Sequence, residues 1–304
     1  MVLIVEQLLN GLQYGVSLFL LAAGLTLIFG IMGVINLAHG ALYMIGAFVG
    51  TWVSIAAGGF WVGLLAGIAA TAVVGVAMEM GIIRRLYARD HLEQVLATFA
   101  LILIFNDAMA LIFGRQPLFT SLPDLFSGSV EIMPGLPYPS YRLFVIAVGL
   151  LVALGLYVLI NKTRIGMLVR AGATNRDMVQ ALGVNIQRLY TMVFALGALL
   201  AGLAGVMASP IMSVQVGMGE DIILATFVVV VIGGVGSVKG AFVAGLILGM
   251  VDTMLRAFLP GILAGFMDGS DAQALGSGVS SMGIYLLMAL VLLIRPRGLF
   301  PAGA

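Results

Sequence analysis

Residues 141–160 read YRLFVIAVGLLVALGLYVLI, twenty positions with a single charge, Arg142, at the start and no alternation of apolar with polar residues. A helix needs about 20 predominantly apolar residues to cross a bilayer, whereas a strand of a membrane barrel alternates over about ten. The stretch therefore reads as a membrane-spanning helix. Runs of the same kind recur at 11–34, 40–57, 60–80, 94–113, 189–209, 221–236, 240–259 and 277–294. The fold class they predict is an all-α polytopic membrane protein. It should have about eight to ten transmembrane helices, Gly-broken segments and a possible internal repeat, and residues 1–304 should form a single transmembrane domain.

Composition supports the same reading. The chain is 62% hydrophobic and 9% charged, with mean hydropathy +1.18, against the roughly 25% charge of an ordinary soluble domain. Cysteine is absent, which excludes disulfides, thiolate metal sites and Cys nucleophiles. The first cation is Arg84, so the N-terminal apolar run lacks the charged region of a cleavable signal. The net charge of +1 says nothing about partners, and nucleic acid is not expected as one for a chain that lives in the bilayer.

Charge distribution is more informative than net charge. Arg84, Arg85, Arg89, Lys162, Arg164, Arg170, Arg176, Arg188, Lys239, Arg295 and Arg297 all fall in loops of one side, 11 of 14 cations. The positive-inside rule makes that side cytoplasmic, placing the N-terminus outside and the C-terminus inside. The 162–188 stretch is unusual in length, since connections inside helical bundles usually run to a few residues. It contains an amphipathic segment near 174–183 that suits a short helix docked into another protein.

The chain is Gly-broken near 33–45 and 210–240, as re-entrant segments would be, and within these stretches GVINLAHGA at 33–41 resembles GGVGSVKGA at 233–241. Broken backbone at membrane depth is tolerated only against protein or a water-filled cavity. Transporters use discontinuous helices of this sort near the midplane, and tight helix–helix turns are the simpler use of the same glycines. Small residues also recur at packing spacing, at Gly11/Gly15, Gly46/Gly50, Gly59/Gly63/Gly67 and Gly245/Gly249. Among polar residues inside apolar runs, Asn106-Asp107 either lines a path or caps a helix. Asp252 and Arg256 are four apart and suit a local ion pair. His39 is either a packing residue or a ligand for solute, and a metal site is not expected, because His91, the only other histidine, belongs to a loop. No Ser-His-acid arrangement and no phosphate-binding G-x-x-x-x-G-K-[ST] loop is present. The chain is not expected to be an enzyme, and any ATP-driven motor would be a separate subunit.

Several motifs in order carry a family resemblance. GLTLIFGIMGVINLAHG at 24–40, Arg164-Ile165-Gly166 through Leu182-Gly183-Val184-Asn185, the stretch 197–205, Gly233-Gly234-Val235-Gly236-Ser237, and Arg295-Pro296-Arg297-Gly298-Leu299-Phe300 resemble the branched-chain amino acid ABC importer permeases of the LivH type. The resemblance implies a permease in the bacterial inner membrane that carries amino acids, most simply branched-chain ones, by alternating access. It also implies a second, LivM-type permease, two ATP-binding subunits that hold ATP and Mg, and a periplasmic substrate-binding protein. This chain would hold no cofactor of its own. On that reading Asn36, His39 and Tyr43 line the first path segment, with Gly233, Gly234 and Gly236 as its counterpart. Arg176, Asp177, Gln180, Ala181, Leu182 and Gly183 couple the chain to the ATPase. Relatives sharing these motifs are associated with urea, short amides and aromatic acids, which keeps the substrate open. An ion-coupled secondary transporter using Asp107, or an aquaporin-like channel suggested by Asn36-Leu37-Ala38, belongs to a different class.

Overall fold

The computed structural model describes residues 2–300, the side chains of Arg176 and Asp177 excepted. Eight helices are long and apolar enough to cross a membrane. They are α1 (Val2–Met32), α2 (His39–Ala57), α3 (Phe60–Met78, carried on to Leu86 by a π turn at Glu79–Ile83 and the short α4, Arg84–Leu86), α5 (His91–Phe113), α6 (Ser140–Lys162), α9 (Ile186–Ala208), α11 (Val238–Leu263) and α12 (Gly269–Ile294). Two short helices, α7 (Arg164–Thr174) and α8 (Arg176–Ala181), fill the 162–188 connection, and α10 (Met218–Gly233) has only 16 residues. A two-stranded antiparallel hairpin, β1 (Ser129–Met133) and β2 (Leu136–Pro139), sits in the loop before α6.

α1 is the axis of the bundle. Its residues from Leu18 to Ala23 are fully buried, and α6, α9, α10 and α11 pack around it. In lipid, close packing takes the place of the hydrophobic force between helices, and small residues permit it. The glycine pairs read from sequence serve this purpose within the chain. A Cβ on Gly15 would lie 2.6 Å from the Gly245 carbonyl oxygen, and one on Gly11 would lie 2.9 Å from the Cα of Met250. Gly46 meets Gly202, while Gly63 and Gly67 meet the backbone of Gly50 and Gly46.

Side-chain caps start the helices at the cation-rich end. Asp90 accepts from Glu93 N–H, Thr163 from Gly166, Asn175 from Met178, Asn185 from Arg188 and Ser237 from Gly240, each satisfying an otherwise unpaired N–H of a first turn. At the same end the tail folds back. Leu299 and Phe300 N–H groups donate to Ile232 and Gly233 carbonyls at 2.8 and 3.0 Å, and Lys239 Nζ stands 5.2 Å from the centre of the Phe300 ring.

Two boundaries differ from those read from hydropathy. α1 begins at Val2 rather than near 11, and α12 at Gly269 rather than near 277. The added turns carry polar residues that a helix accommodates: Asn10 Nδ2 donates to Gln7 Oε1 at 3.4 Å, and Asp271 stands in the first turn of α12, where the helix dipole favours an acid.

Candidate functional site: two half-helices meeting end to end

Beyond Met32 the chain turns at Gly33, whose φ is 67°, and residues 33–38 are not helical. They run back along the bundle, because the His39 ring packs on Gly24, a position roughly 12 Å before the end of α1 at 1.5 Å per residue. Gly24 also touches Gly197, and further on Gly46 meets Gly202 and Gly50 meets Val206. α2 therefore starts inside the bundle and runs parallel to α9 toward the cation-poor end.

The returning segment has its own hydrogen-bond partners. Ile35 N–H donates to Gln94 Oε1 at 3.2 Å and Leu37 N–H to Thr98 Oγ1 at 3.3 Å. Gln94 and Thr98 are buried on α5. Gln94 Nε2 in turn donates to the Leu86 and Arg89 carbonyls, which ties the broken segment to the turn after α4.

A second break mirrors the first. After Ala208 the chain leaves the helix, Val214 pairs with Leu118 through two 2.9 Å backbone bonds, Gly217 takes φ 94°, and α10 begins at Met218. The first turns of α2 and α10 touch backbone to backbone: a Cβ on Gly40 would lie 2.2 Å from the Gly219 oxygen, and one on Gly219 would lie 2.3 Å from the Gly40 oxygen. From this crossing α10 runs to the opposite end, where Gly236 abuts Gly30. The units α1–break–α2 and α9–break–α10 are thus arranged with opposite direction, and their half-helices meet N-terminus to N-terminus. Partly unsatisfied N–H groups and the positive end of two helix dipoles converge there, an environment that favours a carboxylate.

The structure places the residues singled out from sequence as follows. Asn36 is 1% exposed and His39 0%; neither polar side-chain atom of Asn36 has a hydrogen-bond partner, and the His39 ring has only the Leu21 backbone within reach. Tyr43, also buried, donates to Met212 Sδ at 3.8 Å and so links the two breaks. Gly233, Gly234 and Gly236 sit elsewhere: their nearest neighbours are Gly240, the Phe300 carbonyl and Gly30. They form the tight α10–α11 turn that receives the C-terminal tail. In space the counterpart of 33–41 is the break at 209–219, not the stretch 233–241 that resembles it in letters. Glycine at a turn and glycine at a break look alike in one dimension, so shared letters do not mark shared backbone geometry.

In the 162–188 connection the helix is shorter than the 174–183 read from sequence. Asn175 caps it, and it ends with a Val184 N–H bond to Val179 O and φ 85° at Gly183. Val179 is buried, while Met178 and Leu182 are 58% and 76% exposed beside exposed Gln180, Ala181 and Gly183. The side chains of Arg176 and Asp177 lie outside the described residues. Asn106 donates to Glu220 in the first turn of α10, Asp107 is exposed, and Asp252 pairs with Arg256 at 2.8 Å.

One polar cluster was missed. Glu79, fully buried, accepts from Arg84 Nη2 at 2.9 Å, from Tyr87 at 2.5 Å and from Thr191 of α9 at 2.9 Å. The π turn makes this possible: Arg84 N–H bonds to the Glu79 carbonyl, and an i to i+5 bond stacks residues five apart that an α-helix would splay. Burial first, and the bond to Glu79 second, push the Tyr87 phenol above its ordinary range, so it stays a donor.

Residues 7–294 match the family described as "Branched-chain amino acid transport system / permease component". The high-affinity branched-chain amino acid transport system permease protein BraD of Pseudomonas aeruginosa is 29% identical over 306 residues, covering 97% of this chain and 94% of that one. The corresponding LivH of Escherichia coli K12 is 27% identical, with the same coverage of 97% and 94%. The ribose import permease protein RbsC of the same bacterium is 26% identical over 80% of this chain and 76% of its own. No solved structure matches.

Proposed function

The chain belongs to the family of branched-chain amino acid transport permease components, and from that premise we propose that it is one permease subunit of an ATP-driven importer for leucine, isoleucine and valine. Its cation-rich end faces the cytoplasm, with the N-terminus outside and the C-terminus inside, as the loop charges favour. A second permease completes the path, two cytosolic subunits bind ATP and Mg, and a periplasmic binding protein delivers the substrate.

The observation that carries the mechanism is the pairing of an end-to-end helix crossing with an unpartnered buried polar side chain. An unsatisfied buried polar group costs about 1–3 kcal/mol, and Asn36 alone leaves two such atoms beside the buried His39 ring. A packing role gains nothing from that cost, whereas a path residue recovers it when the crossing opens and solute or water reaches it. In the closed arrangement Gly40 and Gly219 touch. Opening separates them and exposes two helix N-termini to the substrate carboxylate, as in other carriers built on discontinuous helices. α8 offers Met178 and Leu182 to the ATP-binding subunits, and their closure biases the crossing between two states through differential contacts.

Asn36→Ala and His39→Ala test the path assignment in the assembled complex. Both should lower leucine uptake while the subunits still co-purify in normal ratio. Loss of assembly in parallel with uptake would make the two residues packing elements instead.

A further inference from the structure

α6 and α9 both pack on α1 and converge at the cation-poor end, where the Tyr141 hydroxyl donates to the Met207 carbonyl at 3.0 Å. At the other end they part, and the gap is floored by α7. The result is a wedge-shaped crevice of about 270 Å³ lined by apolar side chains, among them Leu27, Ile160, Val169 and Leu196. Its mouth is formed by Met192 and Ile165, 57% and 46% exposed. An apolar mouth between two membrane-spanning helices opens to lipid, not to water.

The lining is apolar throughout, and the charges stand beside it. Arg170 donates to the Ile160 carbonyl, which fixes its guanidinium at the rim, and Lys162 and Arg164 are exposed at the junction of α6 and α7. α7 turns Gly166, Val169 and Gly172 inward and leaves Ile165 and Met167 outside, the arrangement of a helix lying in the membrane interface. A hydrocarbon slot bordered by three cations matches one occupant in both halves. We propose that this crevice binds an anionic phospholipid of the leaflet at the cation-rich end, an acyl chain between α6 and α9 and the phosphate against Lys162, Arg164 and Arg170. Basic pockets between helices on the cytoplasmic side recognise anionic headgroups by the same electrostatics. The inference rests on the membrane orientation proposed above but not on the transported substrate.

The test uses the purified full-length chain in detergent, with phosphatidylglycerol or phosphatidylcholine carrying a photoactivatable acyl chain, followed by mass spectrometry of the labelled peptides. Phosphatidylglycerol should label peptides spanning 159–169 and 192–196 at least about tenfold more than phosphatidylcholine, since each basic side chain at an anionic surface contributes roughly a fivefold preference. Replacing Lys162, Arg164 and Arg170 together by Gln should bring the two lipids to parity. Met192→Trp, at an exposed position, should block labelling by both. Equal labelling by the two lipids in the unmodified chain, or unchanged labelling in Met192→Trp, would overturn the proposal. Inorganic phosphate at millimolar concentration should not compete, and full competition by it would mean an anion site without a lipid. No arm reads leucine uptake, so failure of the lipid site is separable from failure of the transport reading.

Discussion

Replacing Gly219 by Ala adds one methyl group at the crossing of α2 and α10. That methyl would lie 2.3 Å from the Gly40 carbonyl oxygen, 2.7 Å from its carbon and 3.2 Å from the Ala41 nitrogen, all of them backbone atoms. Real Cβ contacts do not fall below 3.0 Å, so the two backbones must separate by at least about 0.7 Å, the difference of 3.0 and 2.3. Overpacking in a tight core costs typically about 1–3 kcal/mol, and the upper part of that range applies because backbone, not a rotatable side chain, must yield. Gly155 on α6 is the control. It is exposed with nothing within 4 Å of a Cβ, and Gly→Ala inside a helix stabilises by roughly 0.5–1 kcal/mol. Thermal unfolding of the assembled complex in detergent should separate the two variants in opposite directions, and transport should fall only in Gly219→Ala. Equal melting temperature and equal uptake for Gly219→Ala and Gly155→Ala would refute the end-to-end crossing.

Glu79→Ala removes the acceptor shared by Arg84, Tyr87 and Thr191. The cost should fall at or below the low end of the roughly 3–5 kcal/mol for breaking a buried pair, because Arg84 keeps 29% exposure; a melting temperature unchanged from the unmodified complex would contradict it. Gln94→Leu keeps the volume of the side chain but strands Ile35 N–H and two carbonyls. It should lower uptake more strongly than Glu79→Ala does, since it loosens the broken segment itself, and full uptake would show that 33–38 needs no support from α5. Gly183→Val meets no neighbour but must adopt φ 85°, a strain of roughly 1–2 kcal/mol for a side-chain-bearing residue. The variant should insert normally yet lose substrate-stimulated ATP hydrolysis, and normal stimulation would remove α8 from the coupling role.

The membrane class and most helices were legible because hydropathy is a one-dimensional property: residues 141–160 are apolar wherever they end up. Glycine pairing was legible in spacing but not in partner, since nothing in Gly11 and Gly15 names Gly245 and Gly249. The second break was legible only as part of a Gly-broken stretch between 210 and 240, because residues 209–219 lack the letters of the first, whereas 233–241 share them and sit at a turn. Glu79 stood five positions from Arg84, outside the three- or four-residue spacing that signals a helical pair, and only the π turn brings them together. Gln94 and Thr98 looked like ordinary polar residues at the start of a span. Their importance comes from the unpaired N–H groups of Ile35 and Leu37, which appear only once the chain has doubled back.

On the proposed function this chain conducts branched-chain amino acids under the control of ATP hydrolysis on partner subunits. The direct measurement is uptake of radiolabelled leucine into proteoliposomes holding this chain, its partner permease and the two ATP-binding subunits, with the binding protein added on the side opposite to ATP. Accumulation should require ATP, Mg and the binding protein together, should be competed by isoleucine and valine, and should vanish when this chain is omitted. Leucine flux that proceeds without ATP, or ATP-driven uptake that is indifferent to removing this chain, would contradict the account.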